Sequence, residues 1–168
     1  MESVPLLPRS LAGLALWLVC ACACAAPQGY VRAFRCDGPP LGLKLPATYR
    51  ALRKLAPIQH EQVIDAEETD GADIERRFIV FKGLELALIL FADDPDRYLV
   101  EAAVVSTPGW RVTGPLHVGQ SSEVARQRLR QLHATPDRAL GFGSEGGNVV
   151  LKQARGKIVE IAYSCQVG

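Results

Sequence analysis

Apolar and polar side chains alternate along most of the chain after residue 57, which is the pattern of antiparallel strands. In the last such run, 157–165, Val159, Ile161 and Tyr163 share one face. The other predicted strands have the sequences HEQVIDAEE, ERRFIVF, LELALILFA, RYLVEAAVVS, ALGFGS and NVVLKQA. Two of the connections, Lys82-Gly83 and Arg155-Gly156, are predicted to be tight hairpin turns.

Two segments have helical spacing instead. In the first, Tyr49 and Leu52 lie three residues apart on one face, and Pro57 ends the segment. The second has the sequence VGQSSEVARQRLRQL, with Ser121 or Ser122 as its N-cap. The fold class predicted from these elements is α+β, with two tandem helix-plus-antiparallel-sheet units and a helix packed on one face of each sheet.

A short sequence echo supports an internal repeat. The motif at 38–41, Gly-Pro-Pro-Leu, is echoed as Gly-Pro-Leu at 114–116, and each copy precedes a predicted helix and strands. We therefore divide the chain into residues 1–25, a first α+β unit over 26–107 and a second over 108–168. The alternative is one α+β domain whose halves agree by chance.

The strand predicted over 84–91 is apolar on both faces, with four leucines on one and Ala87, Ile89 and Phe91 on the other. A helix covers only one face of a sheet. The second face is therefore expected to meet the other half of the chain, a second copy or a partner. The other half is the simplest occupant, because exposed apolar patches of this size are uncommon on monomers.

Residues 1–25 have the three parts of a secretory signal peptide: Arg9 near the start, an apolar run over 11–19, and small residues before a polar segment. The run is shorter than the roughly 20 apolar residues that a membrane-spanning helix needs. Cleavage after Ala25 gives a mature chain that begins at Ala26 and works in the periplasm or outside the cell. A retained N-terminal anchor is the alternative.

Processing as a lipoprotein is an alternative to cleavage after Ala25. Bacterial lipoprotein signals are cut just before a cysteine preceded by small and aliphatic residues, which Cys22 fits loosely and Cys24 less well. Acylation would tether the protein to a membrane, such as the outer membrane. The only membrane contact that we predict is through such an anchor.

Cleavage after Ala25 leaves two of the five cysteines, Cys36 and Cys165. An isolated pair in an oxidising compartment is usually a disulfide. It would join the two ends of the mature chain, which is worth about 4–5 kcal/mol in the chain-entropy model. A metal site would need further ligands, and no histidine is close in sequence to either cysteine.

Composition and motifs exclude several functions. The formal net charge of +1 at pH 7 argues against a general nucleic-acid binder. There is no nucleophile elbow, phosphate loop or calcium loop, and His60, His117 and His133 are scattered. We therefore predict no catalytic residue, metal ligand or cofactor. Large aromatics act as anchors in interfaces, which makes Trp110 and Tyr98 candidate partner contacts. The alternative is that Trp110 fills the seam between the halves.

Residues 114–165 resemble one repeat of the superfamily of the secreted β-lactamase inhibitor proteins and the small outer-membrane lipoprotein of the β-barrel assembly machinery. The shared pattern is a helix opened by aliphatic-Gly-x-Ser/Thr, followed by antiparallel strands. The matching residues are Val118, Gly119, Ser121, Val124 and Leu132. The Gly after the helix is missing, and Gln120 stands where the family has Met. The resemblance implies a non-enzymatic role in binding other proteins of the envelope.

Three hypotheses follow for function. The leading one is an exported protein-binding module, an inhibitor or assembly factor, whose partner is another envelope or secreted protein. The second is a small apolar-ligand carrier in the periplasm that uses the two-sided apolar strands. The third is an enzyme of unknown type, for which the sequence contains no signature.

Overall fold

Seven antiparallel strands form one sheet in the order β1-β2-β3-β4-β7-β6-β5. The computed structural model of the chain describes residues 42–69, 72–110, 112, 116–131, 140–144 and 147–165. The strands are β1 (Ile58–Thr69), β2 (Ala72–Phe81), β3 (Leu84–Phe91), β4 (Asp94–Val105), β5 (Gly141–Ser144), β6 (Gly147–Ala154) and β7 (Lys157–Cys165). The helices are α1 (Tyr49–Leu52) and α2 (Ser122–Gln131).

The tight turns lie where the sequence predicts them. Lys82-Gly83 joins β2 to β3, and Arg155-Gly156 joins β6 to β7. Gly83 has φ +78° and Gly156 has φ +72°, a backbone region that glycine reaches without steric cost. These turns set the register of their hairpins and therefore decide which side chains share a face.

One face of the sheet is covered by the helices, and we call it the covered face. Alternate residues of the strands, such as Leu84, Leu86 and Leu88 of β3, pack there in one cluster with residues of α1, α2 and the loops. The members from outside the strands are Leu43, Tyr49, Leu52, Leu116, Val118, Ala125, Leu129 and Leu140. Among the described residues, the molecule therefore has one core that draws on both halves of the chain.

The predicted fold class is wrong in its architecture. The two halves do not form tandem units with separate sheets, because β4 pairs with β7 through residues 102–105 and 161–164. A strand at the end of a sheet has unpaired backbone groups on its outer side, and this pairing satisfies them for both halves at once. The described strands of the second half consequently extend the sheet sideways and do not pack on its second face.

The first helix is also much shorter than its sequence pattern suggests. The α1 helix has four residues, and the Thr48 side chain caps it by accepting a hydrogen bond from the Ala51 backbone N–H at 3.2 Å. Tertiary contacts hold this segment, since the Tyr98 hydroxyl donates to the Pro46 carbonyl at 2.5 Å. A single turn of helix is not stable by itself, so packing of Tyr49 and Leu52 on the sheet maintains it.

Candidate functional site

The face of the sheet opposite the helices is apolar and partly exposed, and we call it the open face. Its apolar residues are Ile74, Phe78, Val80, Ala87, Ile89, Phe91, Leu99, Ala102, Val104, Val150 and Ala162. Ile89 at its centre is buried, whereas Leu99 and Val150 are exposed. No described segment outside the strands belongs to this face, because all the buried apolar side chains of those segments belong to the core on the other side.

Charged side chains of both signs border the open face. Arg76 lies 3.7 Å from a Glu101 carboxylate oxygen and 3.8 Å from one of Asp65. The Arg97 guanidinium lies 3.9 Å from the centre of the Phe91 ring, within the range of a cation–π contact. Exposed ion pairs contribute little stability. Their effect here is to surround an apolar area with polar groups, as in the rim of a protein interface.

A pocket lies beside α1, and we call it the end pocket. Its volume is about 430 Å³, and it lies between the start of β2, the end of β3 and the Tyr49 ring. The lining residues are Tyr49, Ala66, Asp73, Ile74, Glu75, Arg77, Leu90, Phe91, Ala92 and Pro95. Its size is in the range of small-molecule sites.

Three polar residues that line the end pocket, Tyr49, Glu75 and Arg77, form a network with Arg53 and Glu61, and we call it the Tyr49 network. The Tyr49 hydroxyl donates to Glu61 Oε1 at 2.5 Å and accepts from an Arg77 nitrogen at 2.9 Å. Arg77 also donates to Glu61 Oε1 at 2.8 Å and to Glu75 Oε1 at 2.6 Å. Arg53 reaches the second oxygen of Glu61 at 3.2 Å. Two carboxylates thus face two guanidinium groups, and the charges balance.

The network holds Tyr49, Glu61 and Arg77 each in one protonation state. Burial and the hydrogen bond to Glu61 raise the pKa of Tyr49 to about 12. Burial alone would raise the pKa of Glu61, but hydrogen bonds from Tyr49 and Arg77 and the charges of Arg53 and Arg77 outweigh it and lower that pKa. Burial opposes the charge of Arg77, yet its hydrogen bonds to Glu61, Glu75 and Tyr49 raise its pKa. No member of this trio exchanges a proton readily near pH 7, so the network is suited to fixing the pocket wall.

The pH dependence of stability tests this network. The pKa of Glu61 is lower in the folded than in the unfolded chain, where a glutamate titrates near about 4.3. Its contribution to stability is therefore complete above that pH and is lost as the pH falls through the folded pKa. We expect Glu61→Gln to lower the melting temperature clearly at pH 7 and much less at pH 3. An equal loss at both pH values, measured by circular dichroism, would contradict the network.

The two aromatic residues singled out from the sequence are both attached to the core. Tyr98 packs against it, and burial raises the pKa of its hydroxyl to about 12. Trp110 packs against Phe81 with ring centres 5.9 Å apart, and its indole nitrogen donates to the Lys82 carbonyl at 2.9 Å. Trp110 therefore lies beside the β2–β3 turn. Contact of either residue with a partner stays a prediction.

Cys165 lies at the end of β7, and its sulfur atom lies 3.2 Å from the Tyr163 hydroxyl. The predicted partner Cys36 lies outside the described residues, as do the lipidation candidates Cys22 and Cys24 and the whole predicted signal peptide. Their assignments stay predictions.

The described part of the chain contains no cluster of three His, Cys, Asp or Glu side chains that could hold a metal ion. His60 contacts Gln62 at 3.1 Å on the edge strand, and His133 lies outside the described residues. Within those same residues, no helix is long and apolar enough to cross a membrane.

The Tyr49 network was not foreseen, because its members come from three distant parts of the sequence. Tyr49 was assigned to the apolar face of a helix, and neither Glu61 nor Arg77 was singled out. One signal was present in β2. Glu75, Arg77 and Ile79 occupy every second position along the strand and therefore share one face. The sequence thus places one negatively and one positively charged side chain on the face that packs in the core.

No protein-family model matches this chain, and neither a curated protein nor a solved structure is significantly similar to it. The geometry of the open face and of the end pocket is therefore the basis for the function proposed below.

Proposed function

We propose that this protein is an exported, non-enzymatic module that binds another envelope or secreted protein through the open face. The observation that carries the proposal is an apolar sheet face, partly exposed and bordered by charges of both signs, that no described segment packs against. Contiguous exposed apolar surface of this kind marks interaction sites on soluble proteins.

The chemistry of the open face supports a protein partner. Phe78 and Phe91 are aromatic side chains of the type that anchors interfaces, and both are partly buried by neighbours on a rigid sheet. Anchors held on a sheet lose little conformational entropy on binding. The resemblance of residues 114–165 to envelope inhibitor and assembly proteins agrees with such a role.

The test uses two variants with matched exposure. Leu99 on the open face is 44% exposed, and Val124 on α2 is 40% exposed. We expect Leu99→Asp to reduce retention of the partner at least about tenfold, because a buried unpaired carboxylate is costly, whereas Val124→Asp leaves it unchanged. The tagged chain is exported in its native host, and co-purified proteins are quantified by mass spectrometry. Equal retention by both variants would contradict binding at the open face.

The end pocket favours a second candidate function, carriage of a small apolar ligand. Glu75 and Arg77, two of the three charged side chains in its lining, bind each other in the Tyr49 network, and Leu90 adds an apolar side chain. A site of this kind suits an uncharged or weakly polar molecule better than an anion or a cation.

Filling the end pocket tests the carrier hypothesis. We expect wild-type protein to bind the neutral dye Nile red saturably and Ala66→Trp to weaken binding at least about tenfold, since Ala66 lines the pocket. Ala154→Trp, at an exposed alanine of β6, is the matched control and should bind normally. Fluorescence titration measures both. Unsaturable binding, or equal binding by the two variants, would rule out a carrier site here.

A further inference from the structure

We propose that the outer edge of β1 is a homodimer interface, in which β1 of one copy pairs antiparallel with β1 of a second copy around Val63 and Ile64. This goes beyond the proposed function, because it uses the edge of the sheet and not its open face. The two ideas therefore have separate tests.

The first observation is the length of the edge. β1 has 12 residues and is the outermost strand of the sheet, whereas β5 at the opposite edge has four. Among the described residues β1 pairs with β2 alone. A long edge strand presents a row of unpaired backbone N–H and C=O groups, which is a template for another strand.

The second observation is the composition of that edge. Val63 and Ile64 are 52% and 56% exposed, the highest values among the exposed large apolar side chains of the described residues. They are adjacent, and they lie in the middle of β1. Of the features that block pairing at an edge, β1 lacks lysine and proline but has acidic side chains and a bulge at its centre, so the register of any pairing must accommodate both.

The third observation is that two copies of β1 can pair antiparallel in one register that keeps matching faces together. The strand has a bulge between Val63 and Asp65, and a second copy has the same bulge. A twofold axis through both bulges sets Gln62 opposite Asp65 and Glu61 opposite Ala66 of the second copy. Directly opposed residues of an antiparallel pair must point to the same face.

The pairing of β1 with β2 shows that this condition is met. Gln62 and Asp65 stand opposite Phe78 and Arg76, which point to the open face. Glu61 and Ala66 stand opposite Ile79 and Glu75, which point to the covered face.

Charge favours the same register. In this register, the carboxylates of Glu61 and Asp65 each oppose an uncharged side chain of the second copy. At the bulge, Val63 of each copy lies opposite Ile64 of the other. A shift of one residue would set Glu61, which points to the covered face, opposite Asp65, which points to the open face, so the same-face condition excludes it. The dimer would join two seven-stranded sheets into one.

The primary test is the oligomeric state of the full chain, exported and purified in its oxidised form. Sedimentation velocity is expected to show a concentration-dependent dimer in the wild type. Ile64→Lys should weaken the dimer at least about tenfold, and Val124→Lys on α2 should leave it unchanged. A wild-type chain that is monomeric at about 100 µM, or a dimer that both variants retain equally, overturns the proposal.

A mixing experiment tests the register. A lysine introduced at position 64 would face a glutamate introduced at position 63 of the second copy. A mixture of Ile64→Lys and Val63→Glu chains is therefore expected to dimerise at least about tenfold more tightly than either variant alone. Both variants must first melt like the wild type by circular dichroism. A mixture no tighter than its components overturns this pairing, whatever the result of the open-face test.

Discussion

Replacing Gly83 with alanine is expected to lower the free energy of unfolding by about 2–5 kcal/mol. Gly83 has φ +78° in the turn between β2 and β3, a conformation that costs an ordinary L-residue about 1–2 kcal/mol. A Cβ atom there would also lie 2.3 Å from two side-chain atoms of Thr107 and 2.8 Å from its Cβ. Relieving that overlap requires movement of the Thr107 backbone, and overpacking of this kind costs about 1–3 kcal/mol.

Gly156 supplies a matched control for this prediction. It lies in the corresponding turn between β6 and β7 with φ +72°, but a Cβ atom there would have no neighbour within 4 Å. Gly156→Ala should therefore cost only the backbone part, about 1–2 kcal/mol. Urea unfolding followed by circular dichroism measures both values. Equal losses would mean that Thr107 does not restrict the β2–β3 turn.

The local elements could be predicted because their causes are local. Alternation of side chains defines the strands, and the glycine-containing turns at Lys82-Gly83 and Arg155-Gly156 define two hairpins. The helix at 122–131 follows from its apolar spacing. In each case the interacting residues lie within a few positions of one another, so the sequence pattern contains the necessary information.

The architecture could not be predicted in the same way, because one non-local pairing decides it. Val104 pairs with Ala162, 58 residues later, and nothing in either strand distinguishes this arrangement from two separate sheets. β3 has apolar side chains on both faces, as the alternation in its sequence indicates. The strands of the second half lie beside the first half in the sheet and not on top of its second face.

One buried and one partly buried polar side chain mark the limits of the hydrophobic pattern. Gln120 is buried, and neither amide atom of its side chain has a hydrogen-bond partner, although a polar residue at this position predicts a solvent-exposed site. Arg77 lies among apolar residues of the covered face and is tolerated there because Glu61, Glu75 and Tyr49 bind its guanidinium. In both cases the environment is built by distant residues, which a pattern along one strand does not contain.

Leu52→Ala and Leu129→Ala are expected to lower the stability of one and the same unfolding transition, by about 2–5 kcal/mol each. Leu52 in α1 and Leu129 in α2 are fully buried, and both belong to the single core cluster. Truncation leaves a cavity that the packed surroundings fill only in part. Because the two leucines come from different halves of the chain, separate units would instead give two transitions, with each variant shifting only one of them.

Trp110 makes the distinction measurable. The chain that begins at Ala26 lacks Trp17, so its tryptophan fluorescence comes from Trp110. The Trp110 ring packs against Phe81 in the first half and reports on that half, while far-ultraviolet circular dichroism reports on the whole sheet. We expect Leu129→Ala to shift both signals to the same lower midpoint, and the exposed-site control Leu55→Ala to shift neither by much. A Leu129→Ala chain whose circular dichroism changes before its Trp110 fluorescence would show that the halves unfold independently. In that case the β4–β7 pairing would be too weak to couple them, and the open face would not act as one rigid binding surface.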